Sequence, residues 1–298
     1  MSAAHYGLIE AAGTKCVLGL VDAGGTILAR HRVETTTPEA TLGASIAWLR
    51  EQRVALAAVG IAAFGPLDLD RASATYGHIR TTPKPHWTGA DFVTPFAEAF
   101  ACPVGLDTDV NAAALAEQRW GAGKGRGSLL YLTIGTGIGG GFVSDGRLLH
   151  GLTHPEMGHM RVPRHVDDHG FAGACPFHGA CIEGLACGPA IKARWGASLT
   201  ELGADHPANA MIAWYLGRAL ANFQAVLEPA CIVLGGGVMA TAGLLERVRA
   251  EAVAASAGYF LGDPAKIIVP PGLGTDSGLR GALALALSSI AEPAAAVP

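Results

Sequence analysis

The chain has 298 residues, half of them hydrophobic and only 15% charged, as in a tightly packed globular protein of a length that most often divides into two domains. A net charge of −4, a pI near 6.2 and the lack of any Lys/Arg run argue against a nucleic-acid partner. No run of about 18 apolar residues suggests a membrane span, and the N-terminus lacks the charged and apolar regions of a signal peptide, so a cytoplasmic protein is expected.

In chain order, YGLIEAAGTKCVLGLVDAGGTILARHRVET predicts an antiparallel meander of three strands, with a Gly-Thr turn and a second turn at Ala23-Gly24-Gly25. TLGASIAWLREQ has apolar residues at helical spacing, and ALAAVGIAAFGPL is the nearly continuous apolar run of a buried parallel strand. DFVTPFAEAFACPVGLDTDVNAAALAEQRWGAG gives a helix, a strand at Pro103 to Asp107 and an alanine-rich helix, and a first domain is expected over 1–115. SLLYLTIGTGIGGGFVSDGRLLHG repeats the strand, Gly-Thr turn, strand and Asp-Gly turn of the N-terminus, which suggests an internal duplication. From Glu156 to about Glu183 periodicity gives way to His, Cys, Gly and Pro, as in an inserted loop region. Helices at PAIKARWG and NAMIAWYLGRALANFQAVLE, the strand ACIVLGGGV, a helix through AGLLERVRAEAVAAS, the strand AKIIVP and a final Ala/Leu helix complete a second domain, 116–298. Alternating strands and helices predict α/β layers, with the final helix packing back on the first domain.

Cys16, Cys102 and Cys231 sit in or beside apolar runs, where packing is their expected role. CPFHGAC is different, because it sets Cys175, His178 and Cys181 at intervals of three. Zinc takes four tetrahedral Cys or His ligands, so these residues alone leave a metal knuckle and a reduced, metal-free loop both open. Three Gly-rich turns each follow a strand: EAAGTK (Glu10 to Lys15), IGTGIGGG (Ile134 to Gly141) and LGGGV (Leu234 to Val238). Glycine lets backbone N–H groups converge on an anion, and Thr adds a hydroxyl donor, although any one such turn can be a plain hairpin. Neither a GxxxxGK[ST] loop nor a GxGxxG fingerprint with its acidic partner is present, which disfavours P-loop and nicotinamide enzymes. LDTDVNAAALAE offers the carboxylates Asp107 and Asp109 at a strand end, where helix N-capping is the alternative role.

These turns resemble the two phosphate loops and the adenosine loop of the ROK sugar kinases, over nearly the whole chain. GHIRTTPKPHW, HPEMGH, CPFHGAC and IEGLACGPAI are most similar to the zinc-containing fructokinases of that family. The resemblance implies an α/β, actin/hexokinase-like (ribonuclease H-like) duplicated fold with two lobes around a central cleft. It implies ATP-dependent phosphorylation of D-fructose to fructose 6-phosphate, with another hexose (mannose, glucose or an N-acetylhexosamine) as the alternative. A sugar-sensing repressor is disfavoured, since the first phosphate strand begins within about ten residues of Met1 and leaves no room for a DNA-binding module. A non-catalytic zinc protein would leave Asp109 and the three loops without a role.

Aligning the family's N-D-x-N-A-A-A on Asn111 makes Asp109 the general base, with Thr108 in place of Asn. Asn111, Glu156, His159 and Glu183 are then the expected hexose contacts. Glu10, Gly13, Thr14, Lys15, Gly135, Thr136, Gly137, Gly235, Gly236 and Gly237 are the expected ATP contacts. His159 is implied as the fourth ligand of a structural Zn²⁺ with Cys175, His178 and Cys181, a Cys175–Cys181 disulfide being the alternative. Mg²⁺ would ride on the ATP phosphates and water. The family's habit implies a homodimer. Ala12 stands where Gly is usual and is expected to keep a negative φ; His86 also replaces a common Gly.

Overall fold

A computed structural model describes residues 4–259 and 262–291. The strands and helices of its first part are β1 (His5–Ala11), β2 (Lys15–Asp22), β3 (Ile27–Glu34), α1 (Pro38–Glu51), β4 (Leu56–Ala63), α2 (Thr94–Phe100), β5 (Val104–Thr108) and α3 (Asp109–Trp120). There follow β6 (Ser128–Ile134), β7 (Ile138–Ser144), β8 (Arg147–Leu148), α4 (Ile182–Ala186), α5 (Gly188–Trp195), α6 (Leu199–Leu202) and α7 (Pro207–Leu227). Last come β9 (Ile232–Gly235), α8 (Leu244–Ala255), α9 (Pro264–Ile267), β10 (Ile268–Val269) and α10 (Ser277–Ala291). The chain divides into two compact units. Among the described residues, one holds those up to Ala116, Leu149–His154 and those from Leu273 to Ala291; the other holds Glu117–Leu148 and the described residues between Pro155 and Gly272.

Each unit is built on a five-stranded mixed sheet, in the order β3-β2-β1-β4-β5 in the first and β10-β9-β6-β7-β8 in the second. Read from its own first strand, each is an antiparallel meander of three strands with two parallel strands added beside strand one. One topology therefore occurs twice, as the repeated meander in the sequence suggests. The parallel strand β4 is apolar throughout and mostly buried, whereas β3, at a sheet edge, is largely exposed.

The first core gathers Ile9, Leu18, Ile61, Trp87, Phe92 and Phe96 among others; the second gathers Leu132, Ile182, Ile212, Tyr215, Leu216 and Ile232. Helix α10 lies directly on the first sheet. A Cβ on Gly60 of β4 would stand 1.8 Å from the Ala282 carbonyl oxygen, so only glycine lets the helix come this close. The long helix α7 begins with Pro207 in its first turn, where a missing N–H costs nothing, and His206 accepts from the Ala208 N–H as its cap. The predicted strand at AKIIVP forms only at Ile268 and Val269, its first half being helical. Asp263 caps α9 by accepting from the Ala265 N–H, and Pro264 follows it, so the chain turns once before only Ile268 and Val269 pair with β9.

Candidate active site

In the first unit, the two aspartates of LDTDVN have separate surroundings. Asp107 is the penultimate residue of β5 and almost fully buried. Its Oδ1 accepts from the Thr108 N–H at 2.8 Å and from Asn111 Nδ2 at 2.7 Å, and its Oδ2 meets His150 Nε2 at 2.7 Å. Asp109 is the first residue of α3 and is half-buried, its Oδ1 accepting from the Val110 N–H at 2.9 Å. The cap of the helix is Thr108, whose hydroxyl accepts from the Asn111 N–H at 3.2 Å. The capping role that the sequence left open for an aspartate thus falls to the neighbouring threonine. Asp109 stands at the positive end of a 12-residue helix, a favourable place for an ionised carboxylate.

The first Gly-Thr turn exposes Gly13, Thr14 and Lys15 between β1 and β2. Ala12 is not among the residues of positive φ, as expected, and its N–H closes the turn on the Lys15 carbonyl at 3.0 Å. Thr35 braces the turn by donating its hydroxyl to the Ala12 carbonyl at 2.9 Å. Glu10 of β1 faces the first turn of α10. A Cβ on Gly278 would lie 2.0 Å from the Glu10 carboxyl carbon, and burial raises the Glu10 pKa against the opposing pull of Lys15. Lys84, from TTPKPHW, donates its ammonium to the Gly13 carbonyl and sits 5.4 Å from the Phe64 ring centroid. Trp87 anchors the same loop: its ring is fully buried and its Nε1–H donates to the Thr36 carbonyl at 2.8 Å.

In the second unit, Gly135 and Thr136 of the second Gly-Thr turn and Gly237 after β9 line a single cavity of about 350 Å³. Its walls include Pro189, Ile191, Leu199 and Val238, with hydroxyls from Ser198, Thr200 and Thr241. Such a lining, mostly apolar with a few hydroxyls, suits a planar heterocycle. Gly235 and Gly236 do not line it. Gly137 meets Glu183 instead: the carboxylate accepts from the Ile138 N–H at 2.9 Å, and a Cβ on Gly137 would approach it to 2.7 Å. Glu156 is exposed just before the 3-10 turn Met157–His159, whose His159 N–H donates to the Glu156 carbonyl at 3.0 Å.

His159, Cys175, His178 and Cys181 come together with all four ligand atoms within 4.8 Å of one another. His159 Nδ1 lies 3.7 Å from Cys175 Sγ and 3.6 Å from Cys181 Sγ, and His178 Nδ1 lies 3.7 Å from Cys175 Sγ. A tetrahedral zinc with Zn–S of about 2.3 Å and Zn–N of about 2.1 Å separates its S and N ligands by about 3.6 Å, so the donor set fits this ion. All six cysteines are free thiols, so the Cys175–Cys181 disulfide is not formed. Burial pushes the Cys181 thiol up to about 11, and a cation entering the cage must displace its proton. His159 faces the thiols with Nδ1, which leaves Nε2 as its second polar edge.

Two features escape sequence reasoning. His150 meets a carboxylate 43 positions away, and only the closely spaced histidines of HGLTHPEMGH hint at a polar role. Buried Asp168 ties the 156–183 segment to two helices, pairing with Arg194 of α5, accepting from the Tyr215 hydroxyl of α7 and meeting Arg164 Nη2 at 3.0 Å. Nothing in the local pattern marks Asp168 as buried.

The ROK family model matches residues 6–289. A fructokinase of Zymomonas mobilis is 51% identical over 291 residues, covering 95% of this chain and 97% of the relative, and one of Lactococcus lactis is 41% identical over 86% and 87%. Among solved structures, a ROK hexokinase from Thermus thermophilus superimposes with a TM-score of 0.76 at 31% identity, covering 96% of this chain and 99% of that one. A ROK family glucokinase from Streptomyces griseus, in complex with glucose and AMPPNP, gives 0.72 at 27% identity over 96% and 100%. The repeated sheet is therefore the actin/hexokinase-like fold, and this chain belongs to the ROK family.

Proposed function

We propose that the chain is an ATP-dependent fructokinase acting in the cytoplasm, where ATP is plentiful and thiols stay reduced. The observation that carries this reading is the 51% identity to a fructokinase across 95% of the chain. Asp109 is the general base: it takes the proton of the 6-hydroxyl as that oxygen bonds to the γ-phosphorus of ATP and the bond to the ADP oxygen breaks. Asp107 is the poorer candidate, because both of its oxygens are already engaged.

Asn111, Glu156, His159 and Glu183 contact the hexose, whose hydroxyls demand paired donors and acceptors. The turn of Gly13, Thr14 and Lys15 and the turn of Gly135, Thr136 and Gly137 hold the phosphates, and the cavity beside Gly237 takes the adenine. Gly235 and Gly236 give the chain its course into that cavity rather than a wall of it. Mg²⁺ neutralises the phosphates through water, with Glu10 the nearest acidic side chain on the first turn. Zn²⁺ in the His159–Cys175–His178–Cys181 cage is structural, its four protein ligands leaving no open position. The working form is a homodimer, a state that light scattering of the purified protein tests.

Coupled ADP release with a panel of hexoses tests the activity. The expected result is the highest kcat/KM for D-fructose; preference for glucose or mannose would reassign the substrate. Asp109→Asn should lower kcat by several orders of magnitude with hexose binding largely kept, and retained turnover would exclude Asp109 as the base.

A further inference from the structure

The carboxylate of Asp107 is a junction rather than a catalyst. It is buried, with 4% of its side chain exposed, and it grips three groups: the Thr108 N–H, Asn111 Nδ2 and His150 Nε2. His150 comes from the short segment Leu149–His154, which belongs to the first unit and is pinned a second time where His154 Nε2 accepts from the Leu67 N–H at 3.0 Å. The imidazole is 40% exposed on its side chain. The bond to Asp107 raises its pKa above the usual histidine range, against desolvation and the charge of Arg71. His150 is the partner of Oδ2, and without it that side of the buried carboxylate is left unpaired and the group is driven to turn toward another donor or water. Such a turn would carry Oδ1 away from Asn111 Nδ2. The amide of Asn111 is itself buried, and its Oδ1 has no hydrogen-bond partner among the described residues, so its bond to Asp107 sets which way this amide is turned.

We infer that Asp107 and His150 are positioning residues for the hexose: His150 holds the buried Asp107 in place, and Asp107 in turn sets the orientation of the Asn111 amide. The inference rests on the reading above for the role of Asn111 as a sugar contact. It places a histidine from a distant loop in control of a side chain at the start of α3.

The test pairs kinetics with side-chain NMR on the full chain. His150→Ala should raise the fructose KM about tenfold or more with the KM for ATP unchanged, and His150→Gln, which restores an N–H donor, should recover most of that loss. The Asn111 side-chain NH₂ resonance should move upfield in the Ala variant as its bond to the carboxylate is lost, and return in the Gln variant. Should the Ala variant not fold, His150→Phe fills the same space without a donor and is read the same way. A folded variant without the donor that keeps the wild-type fructose KM and an unmoved Asn111 resonance would overturn the inference. If the wild-type protein phosphorylates no hexose, the fructokinase reading fails by itself. The Asn111 resonance then decides the inference: displacement on loss of His150 supports the link, and constancy refutes it.

Discussion

His86 has φ of 71°, in the left-handed region where a Cβ crowds the following carbonyl, and it is exposed. The substitution for the usual Gly that the sequence shows at TTPKPHW therefore has a conformational cost. Glycine would remove about 1 kcal/mol of strain and return part of that through its own larger loss of entropy. His86→Gly should stabilise the protein by roughly 0.5 kcal/mol, seen as a higher urea midpoint with an unchanged slope. At this scale the sequence says which residue types are present and their spacing says which neighbours they have. It puts Asp107 and Asn111 four residues apart, a spacing at which side chains can meet, and they do. It cannot distinguish Asp107 from Asp109 by type; that distinction comes from burial and from His150, a partner brought in by tertiary folding.

Among the elements, the 156–183 segment departs most from regular structure, with only the 3-10 turn at Met157–His159 before α4 begins at Ile182. Two devices hold it. One is the His159–Cys175–His178–Cys181 cage, legible in the sequence because three of its four members fall within seven residues. The other is the knot of Asp168 with Arg164, Arg194 and Tyr215, illegible because Arg194 and Tyr215 reach it only in space. The two should separate experimentally. Chelation of the proposed zinc opens the cage at His159, a proposed sugar contact, and is expected to raise the fructose KM and speed amide exchange in 156–183 before the thermal transition of the core moves. An unchanged KM after verified zinc removal would count against that role. Asp168→Ala instead strands Arg194 as a buried, unpaired cation and should cost about 3–5 kcal/mol of unfolding free energy, read by denaturant titration. The zinc content of the folded variant should be unaffected. The two-residue β10 shows another limit of local reading: AKIIVP has strand composition, but the cap of Asp263 and Pro264 just ahead draws its first three residues into a helical turn and leaves only Ile268 and Val269 to pair.

For the whole molecule, the duplication was visible because a strand, Gly-Thr turn and strand recur with the same chemistry, and the two sheets repeat one strand order. Among the described residues, no helix is long and apolar enough to cross a membrane. The composition of the first unit was harder to read. A boundary near residue 115 marks where its first stretch ends, but Leu149–His154 and α10 join it from far along the chain. The short segment is held by two histidine hydrogen bonds and has no compositional break to announce it. Helix α10 does carry a signal in the small residues of the strands below it: Gly60, and Gly105 of β5, where a Cβ would lie 2.2 Å from the Leu285 carbonyl oxygen.

That close seat of α10 on β4 and β5 has a consequence during synthesis. Every residue of the second unit has been translated before Ser277 is added, whereas the first sheet must wait for the helix that covers its face. The half of the protein made first is thus the half completed last. A ribosome-bound chain cut short before α10 presents a bare apolar surface, the kind that chaperones hold until translation supplies the missing piece.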